Sequence, residues 1–177
     1  NCPIPFFLKQ MVDELKKKGC FSREGIFRIP GSMKRVNDLA AAADRGEDIF
    51  DSANIDDVAS LMKKWFRELS DNIIPTRLSE FLGFAMKENK FIEFASALPP
   101  VNSMTLAYLI GFLQELSEHK ETTKMGINNL AMVFSPNIVQ LSHDPSAGGP
   151  PGGAAQAFLE FLIEHWDVSQ IYPLENV

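Results

Sequence analysis

Arg28 lies in the segment whose composition is least expected for a connection between two helices. Residues 22–32 (SREGIFRIPGS) hold three apolar residues where a polar, solvated loop would be typical. Gly25 and Gly31 bracket the centre of the segment and give the backbone conformational freedom on both sides. A guanidinium fixed on such a loop would offer a permanent positive charge and a planar fork of donors to a negatively charged group.

The direction of the side chains in this loop follows from its expected conformation. If the segment is extended, Phe27 and Ile29 point to one side and anchor the loop in the core, while Arg28 points to the other side. The competing interpretation is an ordinary surface arginine that pairs with a nearby carboxylate such as Glu24, because most arginines lie on protein surfaces. The loop alone does not decide between the two.

Two basic residues, Lys63 and Arg67, follow one another by four positions on a predicted helix that Asn54 can cap. This spacing places them about 40° apart around the helix axis, on the side opposite the apolar stripe. They could bind an acidic partner. A solvated charged face is the alternative, and it is what such pairs usually form.

Two amides accompany an apolar helix predicted over residues 125–134 and ended by Pro136. Asn129 shares a face with apolar residues, so we expect it to be buried as a structural clamp between helices. Asn137 follows the proline and is free to serve as a clamp or as a contact to a partner.

The chain lacks the motifs of independent chemistry. It has no phosphate-binding loop, no dinucleotide fingerprint and no hydrolase elbow. The histidines, His119, His143 and His165, are widely separated, and no spacing of His or Cys fits a zinc site. We therefore expect no cofactor or metal of its own and no bound nucleotide. The function requires another macromolecule.

The composition is that of a globular domain with an uneven charge. The 177 residues are 45% hydrophobic and 23% charged, which excludes a disordered chain, and the net charge of −6 argues against nucleic-acid binding. Residues 1–35 carry eight Lys/Arg and three Asp/Glu, whereas residues 36–177 carry nine and twenty. The N-terminal fifth is thus the part suited to an acidic partner.

Apolar residues recur at helical spacing along nearly the whole chain, so we predict an all-α fold: a single-domain bundle of about eight to nine helices over residues 1–177. A Gly/Pro-rich loop at about 142–153 is expected to be flexible. The chain begins with Asn1 and not with Met, and we expect it to be a piece of a longer multidomain protein. Cys2 and Cys20 flank a helix whose ends lie roughly 27 Å apart, which predicts free thiols and a reducing compartment. We also expect a monomer.

Three blocks of the sequence resemble the signature blocks of the RhoGAP domain, the module that activates Rho-family small GTPases. They are residues 24–32 (EGIFRIPGS), 61–69 (LMKKWFREL) and 129–137 (NLAMVFSPN), in the order and spacing of that family. The resemblance covers about residues 3–172. Ser70, Asp71 and Asn72 replace the Pro-Glu-Pro that often follows the second block. The family implies an all-helical domain, in agreement with the periodicity.

The resemblance also implies roles for individual residues. Arg28 matches the arginine finger of the family, and Lys63 and Arg67 match a basic pair on the helix that faces the GTPase. Asn137 matches the asparagine that supports the finger and the switch region of the GTPase, and Asn129 matches a mainly structural asparagine. The implied function is stimulation of GTP hydrolysis by a Rho- or Rac-type GTPase in the cytoplasm. GTP and Mg²⁺ are held by that partner, and the domain has no enzymatic activity of its own and inserts in no membrane.

Two alternatives remain at this point. The first is a RhoGAP-like module that binds GTPases without accelerating hydrolysis. Members of that kind typically lack the finger arginine, so the presence of Arg28 favours activity. The second is a helical scaffold that binds lipid or a partner helix. The only basic residues that could bind a lipid surface in this way are the run Lys16–Lys18. Lysines at the C-terminal end of a helix are explained more simply by their favourable interaction with the helix dipole.

Overall fold

The computed structural model describes residues 4–79, 81–139 and 153–170, which form a helical domain without β-strands in these ranges. The all-α prediction is confirmed. The α-helical segments are α1 (Phe6–Lys17), α2 (Met33–Asp44), α3 (Ile55–Arg67), α4 (Thr76–Ser79), α5 (Phe81–Lys87), α6 (Phe91–Ser96), α7 (Pro100–Glu118), α8 (Lys120–Thr123), α9 (Ile127–Ile138) and α10 (Ala154–His165). Two short 3₁₀ turns, Cys20–Ser22 and Val168–Gln170, complete them.

Helix α3 is the element on which the site is built. As predicted, Asn54 caps its start, because the side-chain oxygen of Asn54 accepts a hydrogen bond of 2.9 Å from the backbone N–H of Asp57. Asp56 and Asp57 lie in the first turn, where acidic side chains complement the helix dipole. One face of α3 is buried and carries Val58, Met62 and other apolar residues. The helix packs against α1, α2 and α9 and so links the two halves of the domain.

The longest helix, α7, is buried on most sides and lies in the centre of the core. A helix that is apolar around most of its circumference must be covered by others. Helices α6, α9 and α10 pack on α7, and α9 and α10 pack closely on each other. Phe158 of α10 meets the ring of Phe91 at 5.4 Å and that of Phe94 at 5.7 Å, in edge-to-face contacts typical of aromatic cores.

Prolines lie near the end of one helix and at the start of another, and the first of them corrects a predicted helix boundary. Pro136 lies inside α9, which extends to Ile138, and does not end it. A proline in the last turn removes one N–H and the bond it would make to the carbonyl of Met132, which is a local loss near the helix end. Pro100 begins α7 at a position where prolines are tolerated because the N–H has no helical partner.

The remaining predictions about the fold concern the two cysteines, the Gly/Pro-rich loop and membrane insertion. Cys20 is a free, fully buried thiol, whereas Cys2 and most of the predicted loop at 142–153 lie outside the described residues. Burial raises the pKa of the Cys20 thiol to about 11, with a smaller contribution from the nearby Glu115 carboxylate. In the described part of the chain, no helix combines the length and apolar character required to cross a bilayer.

Candidate functional site: a surface arginine on a pinned turn

The segment that carries Arg28 is a tight turn and is not extended. The carbonyl of Gly25 accepts hydrogen bonds from the backbone N–H groups of Arg28, at 2.9 Å, and Ile29, at 2.8 Å. Gly25 has a φ of +72°, and Phe27 has a φ of 65°, which is uncommon for a residue with a large side chain. The sequence prediction of an extended loop is therefore wrong. Strain of this kind persists only where the surroundings fix the backbone.

The apolar anchors of the turn are Ile26 and Phe27, both fully buried. The Phe27 ring packs edge-on against Phe134 of α9 at 4.8 Å and Phe112 of α7 at 6.1 Å. Ile29, which was predicted to be the second anchor, is 38% exposed. The alternation of sides expected in a strand fails because the left-handed conformation of Phe27 reverses the chain direction.

The side chain of Arg28 is exposed and makes no hydrogen bond or ion pair with any described residue. The pairing with Glu24, considered above as the alternative, is not formed. Its backbone is fixed nonetheless, since the turn begins where the N–H of Gly25 donates to the carbonyl of Thr123 in α8, at 2.7 Å. The outcome is a rigid backbone that presents a free guanidinium to solvent.

Lys63 is part of the support of this turn. Its Nζ lies 2.5 Å from the carbonyl oxygen of Phe27 and donates a hydrogen bond to it. The side chain is half-buried, and burial lowers the pKa of Lys63, with a further contribution from the positive charge of Arg67. The alternative of a solvated charged face is therefore wrong for Lys63, because the turn covers that part of α3.

Arg67 and Asn137 are in direct contact. The Nη1 of Arg67 donates to the Oδ1 of Asn137 at 3.1 Å, and the Nδ2 of Asn137 donates to the carbonyl of Val133 at 2.8 Å. Asn137 lies in the last turn of α9 and is buried, whereas Arg67 is exposed. The Phe27 carbonyl, Lys63, Arg67 and Asn137 thus form one continuous row beside the turn, because Lys63 and Arg67 are neighbours on α3.

Asn129 lies apart from this row. It is half-buried, and its Nδ2 donates to the backbone carbonyl of Lys124 at 3.1 Å. Lys124 adopts a left-handed conformation with a φ of 57° between α8 and α9. The side chain holds the sharp connection into its own helix. The predicted buried clamp between helices is therefore wrong in its geometry, because Asn129 is only half-buried and its hydrogen bond is local.

The start of α3 holds the two ends of the turn, a feature that sequence reasoning missed. Before the turn, Arg23 forms two hydrogen bonds, of 3.1 and 2.7 Å, with the carboxylate of Asp56. After it, the buried Asp57 accepts from the backbone N–H of Ser32 at 2.8 Å and from the Nε of Arg35 at 2.6 Å. The acidic first turn signalled only a helix start, since the sequence does not show which loop lies against it.

These contacts define what the site can do chemically. The fixed backbone of the turn presents an exposed, permanently charged guanidinium where another molecule can bring negative charge to it. Among the described residues no group of three or more His, Cys, Asp or Glu could hold a metal ion. The site therefore consists of a cation and the contacts that support its backbone.

Comparison with known proteins assigns the family. Residues 5–143 match the family model of the RhoGAP domain. The chain is 34% identical over 173 residues to GTPase activating protein homolog 3 of Dictyostelium discoideum, which covers 95% of this chain and 13% of that protein. It is 40% identical over 147 residues to mouse Rho GTPase-activating protein 22, covering 77% and 21%. The chain therefore spans only a small part of the length of these relatives.

Solved structures share the fold. The crystal structure of human Rho GTPase activating protein 15 superposes with a TM-score of 0.84 at 21% identity, covering 96% of this chain and 84% of that one. The BH domain of GRAF, the GTPase regulator associated with focal adhesion kinase, gives a TM-score of 0.78 at 21% identity, covering 93% and 92%. The sequence matches and the shared fold agree: the chain belongs to the RhoGAP domain family.

Proposed function

We propose that this domain accelerates GTP hydrolysis by a Rho-family small GTPase and that Arg28 is the arginine finger it supplies in trans. The observation that carries the proposal is the state of Arg28: an exposed guanidinium with no partner among the described residues, on a turn whose backbone is hydrogen-bonded and buried. An exposed charge contributes little to stability, so the fold does not need the Arg28 side chain, and its free guanidinium is available to a partner.

The physical basis is stabilisation of charge that exists only in the transition state. As the bond to the γ-phosphate breaks, negative charge moves from the phosphoryl group toward the leaving oxygen, and the rest stays spread over the three phosphoryl oxygens. A preorganised guanidinium placed there stabilises this charge without any reorganisation at the moment of reaction. A trans-acting arginine is worth about 10³–10⁵ in rate in related activators. GTP and Mg²⁺ belong to the partner, and the domain needs no cofactor of its own.

The neighbouring residues have distinct roles in this proposal. Lys63 holds the carbonyl of Phe27, the residue before the finger, and so sets the direction in which Arg28 leaves the turn. Arg67 is exposed, which suits it for contact with the switch region of the GTPase, and the buried Asn137 supports it through their hydrogen bond. Asn129 stays structural, since its bond is to its own helix connection.

The partner is proposed from the family and the charge pattern. The mouse relative is named a Rho GTPase-activating protein, and the basic N-terminal fifth of this chain suits the phosphates and acidic loops of a nucleotide-bound GTPase. The location that we propose is the cytoplasm, and the free thiol of Cys20, which is stable in a reducing compartment, supports it.

The test is phosphate release from a panel of GTP-loaded Rho-, Rac- and Ras-type GTPases, with binding measured in parallel. We expect strong stimulation of at least one Rho-family member and none of the Ras type. The panel is measured with the wild-type domain and with Arg28→Ala, which should lose the stimulation. Arg45→Ala, at another exposed arginine, is the matched control, because among the described residues Arg45 pairs only with its neighbour Glu47. Binding without stimulation across the Rho family would refute the proposal in favour of a silent binding module.

A further inference from the structure

Asp57 is a buried carboxylate with an unusual set of partners. It is 1% exposed, and its oxygens accept hydrogen bonds from the backbone N–H of Ser32, at 2.8 Å, and the Nε of Arg35, at 2.6 Å. Burial of a carboxylate is unfavourable unless such bonds compensate for lost water. Both partners lie just after the turn that carries Arg28, so the carboxylate fixes where that turn ends.

The contacts around Asp57 leave the turn little freedom. The N–H of Gly31 donates to the Oγ of Ser60, one helical turn further along α3, at 2.9 Å. Gly31 itself lies so close to α3 that a methyl group placed on it would be 2.7 Å from the Cα of Asp57. On the other side of the turn, Arg23 is bound by Asp56. Consecutive residues of one helix therefore hold both ends of the loop that carries Arg28.

We propose that Asp57 is a positioning residue for Arg28, an inference that rests on the proposed function. Asp57 makes no contact with the Arg28 side chain among those observed, and it acts through the backbone of Gly31 and Ser32. Of the two acids at the start of α3 it is the stronger candidate. Asp57 accepts from a backbone N–H and is buried. Among the described residues, Asp56 accepts only from the side chain of Arg23, and its own side chain is 18% exposed.

The first measurement is single-turnover hydrolysis at saturating activator with Asp57→Ala. Because a misplacement of about 1 Å can cost about 100-fold in rate, we expect the maximal rate to fall about 10- to 100-fold. The half-saturating concentration should stay within about twofold, since the binding surface is intact. Asp38→Ala is the control: it removes an equal charge from α2, where the one ion pair of Asp38 with a described residue is that with the exposed Lys34.

A merely structural role is separated by repeating the change in an Arg28→Ala background. A residue that acts through Arg28 has nothing left to position there, so Asp57→Ala should then lower the rate by less than about twofold. If Asp57→Ala only lowered the fraction of folded protein, it would reduce the rate of hydrolysis by the same factor in the wild-type and the Arg28→Ala backgrounds. If Asp57→Ala does not fold, Arg35→Ala replaces it. This variant removes one of the two partners at an exposed site and should give a smaller loss with the same dependence on Arg28.

The second measurement does not depend on activity. Amide hydrogen exchange of Ser32 and Arg28 should accelerate in Asp57→Ala, while exchange of core amides in α7 stays unchanged. If the wild-type domain stimulates no GTPase, the proposed function fails, and the exchange rates still decide whether Asp57 holds the turn. Unchanged exchange at Ser32, or equal loss of rate in both backgrounds, would overturn the inference.

Discussion

Gly31→Ala tests whether the position of the turn against α3 sets the activity. The added methyl group would lie 2.5 Å from the Oδ1 of Asp57, 2.7 Å from the Cα of Asp57 and 2.8 Å from the carbonyl oxygen of Asp56. Two of these are backbone atoms of a packed helix and cannot rotate away. Ordinary contact begins at 3.4 Å, so the turn must move by about 0.7 Å, a shift that can cost tens-fold in rate.

The expected result is a loss of maximal rate that exceeds the loss of stability. Overpacking of this kind costs roughly 1–3 kcal/mol of unfolding free energy, which lowers Tm by about 2–12 °C in a domain of this size. The maximal single-turnover rate, measured well below that range, should fall about 10- to 100-fold. The half-saturating concentration of GTPase should change little.

The matched control is Gly126→Ala at the start of α9. No atom lies within 4 Å of a methyl group there, and the φ of −78° suits alanine. This variant should keep the wild-type rate and lose at most about 1 kcal/mol of unfolding free energy, because Gly126 is the N-cap of α9 and alanine is a poorer N-cap than glycine. If Gly31→Ala also kept the wild-type rate and Tm, contact with α3 would not be what places the turn.

Three further predictions concern the supports of the site and the core. Lys63→Met keeps the aliphatic stem but removes a charged hydrogen bond worth about 1.5–3 kcal/mol to the turn. The maximal rate should therefore drop about tenfold or more, and Tm should fall by about 3–12 °C. The control Lys64→Met, which breaks only a surface pair, should have no effect, and a change in affinity alone for Lys63→Met would contradict the assignment. Arg67→Ala should raise the half-saturating GTPase concentration several-fold while Tm stays within the range of surface substitutions, and unfolding would show that its bond to Asn137 is structural. In a variant whose other cysteine is serine, iodoacetamide at pH 8 should label Cys20 at least about 100-fold more slowly in the folded domain than in denaturant. The reason is that a pKa of about 11 instead of 9.0 lowers the fraction of Cys20 present as the reactive thiolate. The Cys20 thiol deprotonates at a lower pH in the unfolded chain than in the folded domain, so its contribution to the free energy of unfolding falls as pH rises from about 9 to about 11. Equal labelling rates in the folded and unfolded states would contradict the burial of Cys20.

Helical periodicity was sufficient to predict the fold class, because each helix buries its own apolar face. The cap at Asn54 was predictable for the same reason: it depends on neighbours three residues away. Predicted ends failed where a proline was taken as a stop. Pro136 is accommodated since the last turn of α9 has few bonds to lose.

The site was only partly predictable, because its geometry depends on contacts between residues far apart in the chain. The prediction that Ile29 lies in the core used the alternation of side-chain directions in an extended backbone. The positive φ of Phe27 shows that the backbone is not extended there. A helical wheel placed Lys63 away from the apolar stripe but could not show that the turn covers it. The role of Asp57 was hidden for the same reason, since its partners are 22 and 25 residues away.

The central claim is that Arg28 acts on charge present only in the transition state. Its most direct test is single-turnover GTP hydrolysis at saturating Arg28→Ala, with binding to a GTPase–GTP-analogue complex measured in parallel. We predict that stimulation falls by at least about 100-fold while the affinity changes only a few-fold, and that Arg28→Lys rescues little because an ammonium lacks the planar fork. Stimulation near the wild-type level by Arg28→Ala would contradict the claim, and the domain would then act by positioning the partner's own residues, with Asn137 the next residue to replace.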